Sequence, residues 1–495
     1  MSDDKAAGFL DDIVANVDDD APRLIFADWL TDHGDPERGE FIRVQCERAT
    51  LPEWDRRRLP LLLRERALLR EHGPRWRAGL PRTKAVEWGE FRRGFVATAL
   101  FRKFSTFLQR AAKCWAATPL EAVTVAWPRQ DDPTDALEPI AGLRELTING
   151  TLVDPRDIRR LADSPLLRSL RALNIPDGEI GPDGFDRIVK SPHLENLRAL
   201  RVPRNSIGNG GIDSLVAARR LTSLEELDLS EAGSYGRYGE DPIIGADGME
   251  ALAAWPGLSR LRSLTLSGNE IGRAGLEALL GSPGCVNLKT LVLRANGLRG
   301  RDMQALEAAQ DGPRLDVLDL GENLLRDSGL RCVADAACLA ELKTLHLDRC
   351  EVTFAAATAS DLAEAAFYPT LRKLDLSSNE LGTLALYTLL EKGPAELHTI
   401  RLSDAGLDAE AVAQLANSAG SDSLLALDLS SNELGEDAAE ALADAAHLRS
   451  LLVLCLFDND LAPAAVEKLA ASPLGRRLAR LEMGLDIDET EGLPW

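Results

Sequence analysis

The chain has 495 residues, a formal charge of -22, and 45% apolar but only 5% aromatic residues. That length exceeds what one compact core organises, so several domains or a repeat array are expected, with leucine and alanine rather than aromatics filling the interior. The net acidity argues against nucleic acid or an anionic membrane as partner, and no stretch approaches the roughly 18 apolar residues of a membrane span.

The N-terminus, MSDDKAAGFLDDIV, has neither a basic nor an apolar leader segment, so a cytoplasmic protein is expected. Charge along the N-terminal part is uneven. Residues 1–41 carry 3 Lys/Arg against 12 Asp/Glu, whereas residues 42–100 carry 14 against 7. Residues 1–85 are expected to form a small α-helical domain. In it DDDAPRLIFADWL and ERGEFIRVQCERA read as two helices around a tight turn at Asp32–Gly39. Leu24, Ile25, Ala27, Trp29 and Leu30 supply one apolar side, and Phe41, Ile42 and Val44 the other. A basic helix is expected over 54–81. Its arginines either dock an acidic partner or pair with the acidic segment before it. Residues 86–142 form a cap in which 89–101 is the strand leading into a repeat array, with a degenerate unit at Leu120, Val123 and Val125.

From there a frame, LxxLxLxxNxL, begins at Leu143, Leu170, Leu197, Leu224, Leu261, Leu288, Leu315, Leu342, Leu371, Leu397, Leu424, Leu451 and Leu478. The spacing is 27 residues in most steps, with 37 between Leu224 and Leu261. In LTLSGNEI the apolar and polar residues alternate, which marks a short strand; IGRAGLEALLGSP then reads as a helix stopped by Ser-Pro-Gly. The frame's asparagine recurs as Asn205, Asn269, Asn296, Asn323, Asn379, Asn432 and Asn459. Its amide both donates and accepts, so it is expected to satisfy backbone groups where the chain leaves the strand. Thr151, Gly178, Ala232, Cys350, Ala405 and Asp486 interrupt the column. Strands pack about 4.8 Å apart and helices about 8–10 Å apart, so the array should curve with its parallel sheet concave and its helices convex.

Frame, period and regular helix resemble the ribonuclease-inhibitor-type leucine-rich repeats over about residues 120–487. The resemblance implies an α/β solenoid, 143–487, of about 13 repeats with a tail at 488–495, and a binding scaffold without selecting a partner. RLIFADWL and GDPERGEFIRVQ resemble a short repeat-companion domain known mainly from planctomycete bacteria, which implies a bacterial cytoplasmic setting and no activity.

No phosphate-binding loop, HExxH or GxSxG is present, and the seven scattered cysteines show no ligand spacing, so no metal and no cofactor are expected. His346 and His398 stand within possible reach of Asp348 and Asp404, but nothing holds a reacting group beside them, so no catalysis is expected. The expected role is a protein-protein interaction scaffold, monomeric, with a protein partner. The alternative is a GTPase-activator-like or enzyme-inhibitor-like regulator. On the strand face the acids are Glu145, Glu226, Asp228, Asp319, Asp348, Asp375, Asp428 and Glu482, against Arg201, Arg294, Lys373, Arg401 and Arg480.

Two contact sites are expected. The long unit places Tyr235, Arg237 and Tyr238 in a Gly- and Pro-containing loop, 231–245, and Tyr and Arg favour hot spots. Near the C-terminal end Val453, Cys455 and Phe457 occupy outward positions close to Arg401. They form either an apolar contact patch or a surface covered by the C-terminal segment, with Trp495 folded over Phe457.

Overall fold

The computed structural model describes residues 2–81, 84–126, 142–150, 152, 154–231, 243–354 and 356–483. The chain divides into two compact units, Met1–Ile243 and Ile244–Trp495. Among the described residues no helix is long and apolar enough to cross a membrane.

The first unit opens with four helices, Ser2–Ala15, Ala21–Asp32, Pro36–Thr50 and Arg58–Arg77. Phe41 and Ile42 are buried as expected. Leu24 and Ile25, however, are exposed; the same helix buries Ala27, as expected, and also Arg23. Arg23 is wholly enclosed because its guanidinium answers the carbonyls of Val17 and Asp19 and the carboxylate of Glu121. The segment 89–101 is not one strand. Phe91–Arg92 and Phe95–Val96 form a hairpin whose two turn residues, Arg93 and Gly94, both have positive φ, 49° and 91°. That is the primed turn that matches strand twist, and a side chain at Gly94 would collide with Ile42. The strand Thr98–Phe101 then pairs antiparallel with Val86–Trp88 and parallel with Ala122–Ala126. Parallel pairing continues through Glu145–Asn149, Ala172–Asn174, Ala199–Arg201 and Glu226–Asp228.

In the second unit each coil is a three-residue strand, a turn, a helix and often a short 3-10 segment. The strands Ser263–Thr265, Thr290–Val292, Val317–Asp319, Thr344–His346, Lys373–Asp375, Thr399–Arg401, Ala426–Asp428, Val453–Cys455 and Arg480–Glu482 pair in parallel, in chain order. The central apolar residue of each strand stacks on the next, from Leu264 on Leu291 to Leu454 on Leu481. Helix Gly272–Leu280 shows why the coil closes: Leu276, Leu279 and Leu280 face the core, and Gly275 lets the preceding helix's Met249 approach where a side chain would clash. Ser282 caps the 3-10 turn that returns the chain to the sheet. Each buried leucine contributes about 1.5–3 kcal/mol, which ordering the chain largely offsets, so a coil depends on its neighbours.

The asparagine column closes the turns. Asn323 accepts from the backbone N–H groups of Asn296 and Leu298 at 2.9 and 3.0 Å, and donates to the carbonyls of Leu293 and Leu320, both at 2.9 Å. Asn379, Asn432 and Asn459 repeat the arrangement toward their own preceding coils. Asn205, Asn269 and Asn296 also donate to strand carbonyls. In the interrupted slot at Cys350, the thiol donates to the Leu320 carbonyl at 3.3 Å, and burial pushes its pKa up to about 12.

Candidate functional site

The parallel register of the second unit aligns outward side chains in columns. One runs Asp319, His346, Asp375, Arg401, Asp428, Cys455, Glu482. Another, two residues further along each strand, includes Arg294, Gly321 and Asp348. Long guanidinium groups on short strands reach across neighbouring coils, and this builds two ion-pair clusters.

In the first cluster Arg294 spans two coils to grip both oxygens of Asp348 at 2.9 and 2.5 Å, and also reaches Glu322 at 3.0 Å and Asp319 at 3.6 Å. It passes over Gly321, where a side chain would strike both the Arg294 guanidinium and the Asp348 carboxylate. The second cluster centres on Arg401, 3.0 Å from Asp375 and 3.5 Å from Asp428. His346 lies 3.7 Å from the same Asp375 oxygen.

Burial acts on these carboxylates differently. At Asp375, burial by itself would raise the pKa, but the neighbouring His346 ring, the charge of Arg401 and bonds from Ser377 hold it below the ordinary value. Asp319 stays above its ordinary value: burial dominates, the charge of Asp348 adds to it, and His346, Gly321 and Arg294 compensate only in part. Its chief direct bond is from the Gly321 N–H at 2.9 Å. The face therefore holds one carboxylate, Asp319, that its basic neighbours compensate only in part.

His346, Asp348 and Asp375 can each offer one donor atom within 4.8 Å of the others, a set suited to a divalent cation. Both carboxylates already bind guanidinium groups, which makes the cluster an ion-pair network first. His346 thus stands by Asp375 of the next strand, a neighbour its own strand did not suggest. His398 is buried and bonds Thr399.

Of the two expectations for the C-terminal strand, the exposed apolar patch is corrected and a covered surface is found at Val453 and Cys455. Val453 and Cys455 are 0% and 2% exposed, and Phe457 is half-buried. Val453 stands between Ala426 and Arg480, and Cys455 between Asp428 and Glu482, so the larger, mutually paired Arg480 and Glu482 flank the short apolar groups. Arg401 is held by carboxylates rather than presented beside an apolar surface. Tyr235, Arg237 and Tyr238, and Trp495, lie outside the described residues. Sequence reasoning missed the Arg294–Asp348 clamp, although its signal was present: Arg294, Gly321 and Asp348 occupy one frame position in three successive units.

A family model described as "Leucine Rich repeat" matches residues 259–280, 369–390 and 421–443. No curated protein sequence matches the chain. Among solved structures, an internalin (InlF) from Listeria monocytogenes aligns at 18% identity and TM-score 0.37, covering 69% of this chain and 81% of that one. The yeast Rad7 and Elc1 complex aligns at 17% and 0.44, covering 70% and 77%. A TLR13–ssRNA13 complex aligns at 19% and 0.42, covering 74% and 56%. Strand, asparagine turn and helix, recurring in register and matched at three places by the family model, are leucine-rich repeats.

Proposed function

We propose that this chain is a non-catalytic protein-protein interaction scaffold whose second unit presents its strand face to a protein partner bearing basic side chains. The observation that carries this reading is the in-register polar surface from Asp319 to Asp428, where Asp319, Asp348, Asp375 and Asp428 outnumber Arg294, Lys373 and Arg401 by one. An incompletely compensated, partly desolvated acidic face favours a partner that completes the pairing. Arg294 and Arg401 are both clasped by carboxylates, which supports a docking surface over an activator with an arginine poised for phosphate. The near-constant period supports the ribonuclease-inhibitor type of repeat over 143–487 with a tail at 488–495. The four N-terminal helices support a companion domain over 1–85 with a cap over 86–142. Tyr235, Arg237 and Tyr238 remain proposed as a second contact, and Phe457 as part of the first. The protein is read as monomeric and cytoplasmic.

Affinity purification from the native cell with wild-type chain and an Asp319→Asn/Glu322→Gln variant tests the reading. A partner recovered by wild type should be released by salt and depleted several-fold on the variant. Equal recovery of the same proteins by both overturns the strand-face assignment. Deleting 233–242 and finding recovery unchanged removes the loop from it.

A further inference from the structure

Part of the basic stretch 42–100 faces a cavity of about 450 Å³ in the first unit. Among the described residues six arginines line it from three directions: Arg48 and Arg58 from the N-terminal helices, Arg92 and Arg93 from the hairpin, Arg144 and Arg171 from the residues just before successive strands. The carboxylates lining it, among the same residues, are three, Asp18, Glu90 and Glu121. Counted on its lining residues alone, the cavity has three more arginines than carboxylates, on a chain whose net charge is -22. Such a reversal has a local cause.

Most of these guanidinium groups are engaged. Arg171 grips both oxygens of Asp18 at 2.6 Å, Arg92 donates to Glu145 at 3.0 Å, and Arg93 lies 3.4 Å from Asp20. Arg48 bonds Glu65, while Arg58 bonds the carbonyls of Arg48 and Leu51. Glu121 is already taken by the enclosed Arg23. Arg144 differs. Its buried Nε has no hydrogen-bond partner, and its guanidinium forms no ion pair among the described residues. The Asp18 carboxylate, held by Arg171, is the anion whose charge reaches Arg144, but it makes no hydrogen bond to it, and a buried guanidinium N–H without an acceptor costs free energy unless a further anion joins it.

We propose that this cavity binds a phosphate group, with Arg144 as its principal ligand and Arg92, Arg93 and Arg171 completing the surround. Arginines line the cavity from the hairpin on one side and from the strand starts on the other. An anion with oxygens on several sides meets them, where a planar carboxylate meets one fork. The phosphate belongs to a small free ester or to a phosphorylated side chain of a protein; both present the same terminal oxygens. This site is independent of the acidic strand face of the second unit.

Calorimetric titration and thermal shift on the full chain test it at low salt, with inorganic pyrophosphate, a phosphoserine peptide and the same peptide unphosphorylated as probes. Saturable binding of pyrophosphate with a rise in Tm is expected, weakened about tenfold or more by Arg144→Gln. A phosphopeptide that binds more tightly than pyrophosphate and than its unphosphorylated form assigns the site to a phosphorylated protein. Pyrophosphate binding without any gain from the phosphopeptide assigns it to a small phosphate compound. Without anion, Arg144→Gln should leave Tm unchanged or raise it, because no native bond is lost; a fall of several degrees makes Arg144 structural and overturns its role. Absence of saturable binding by either phosphate probe overturns the site. So does equal weakening by Arg204→Gln, a residue paired with Asp177 and not among those lining the cavity.

Discussion

Two positions of the same coil carry opposite charge, and each unit puts a different one of them to use. In the first, Arg144 and Arg171 stand just before successive strands and join an arginine-lined cavity. In the second, Asp319, Asp375 and Asp428 stand at the strand ends on the outward face. Side chains before the strand meet whatever packs at that rim, here the N-terminal helices and hairpin. Side chains on the strand meet only their own column. A repeat therefore offers separate electrostatic surfaces at different frame positions without altering its core, because leucines hold the backbone in place at both.

The largest expected effect tests whether the shared scaffold is equally tight in both units. Asn323→Ala strips partners from four buried backbone groups and should cost about 3–5 kcal/mol, given about 1–3 per unsatisfied group and partial relaxation. Asn205 donates at 2.6 and 2.8 Å but accepts only one bond, at 3.4 Å. Asn205→Ala should therefore cost less. Urea unfolding of both variants measures the difference; equal losses would show that the amide's acceptor bonds contribute little.

A smaller effect separates the acidic face from its scaffold. Gly321→Ala leaves the core untouched but intrudes on the Arg294–Asp348 clamp. It should destabilise by about 1–3 kcal/mol, as overpacking does. Arg294→Ala should remove most of that additional penalty in the double variant, since the guanidinium clash is then gone and the Asp348 side chain, no longer clamped, can turn aside. A double-mutant cycle showing simple additivity would mean that the glycine serves some other purpose.

The smallest effect is a difference of sign. The pKa of Asp375 is lowered, so its contribution to stability is present above the ordinary carboxylate value and is lost as pH falls through the folded one. The pKa of Asp319 is raised, so its contribution is present below the ordinary value and is lost as pH rises through the folded one. Tm measured from acid to neutral pH should show Asp319→Asn gaining on wild type as pH rises, while Asp375→Asn loses. Parallel curves for the two variants would contradict the assigned environments.

How far the sequence could carry this depends on the range of each interaction. Leucine spacing and the asparagine frame are periodic and local, so strands such as Val317–Asp319 and helices such as Gly272–Leu280 were legible. Arg23 was not: a helical pattern cannot show that the enclosed face meets Glu121, 98 residues away. The outward positions of Val453 and Cys455 were read correctly from alternation, but their burial depends on Arg480 and Glu482 alongside. The cationic cavity needed the hairpin and the strand starts brought together, although Arg144 and Arg171 already shared one frame position.

The gap at Ala405 has a dynamic consequence. Asn379, Asn432 and Asn459 each tie their own coil to the carbonyl of the coil before, at Leu347, Leu402 and Leu429. Opening any one coil therefore loosens two. The methyl group of Ala405 has no donor to offer, so its coil holds the preceding one at this level through the backbone bond from Leu381 N–H to the Ala405 carbonyl. A zipper with one tooth missing parts there first. The coils C-terminal to Ala405, tied to one another through Asn432 and Asn459, should therefore open as one block with similar amide-exchange protection, rather than fray coil by coil from the C-terminal side.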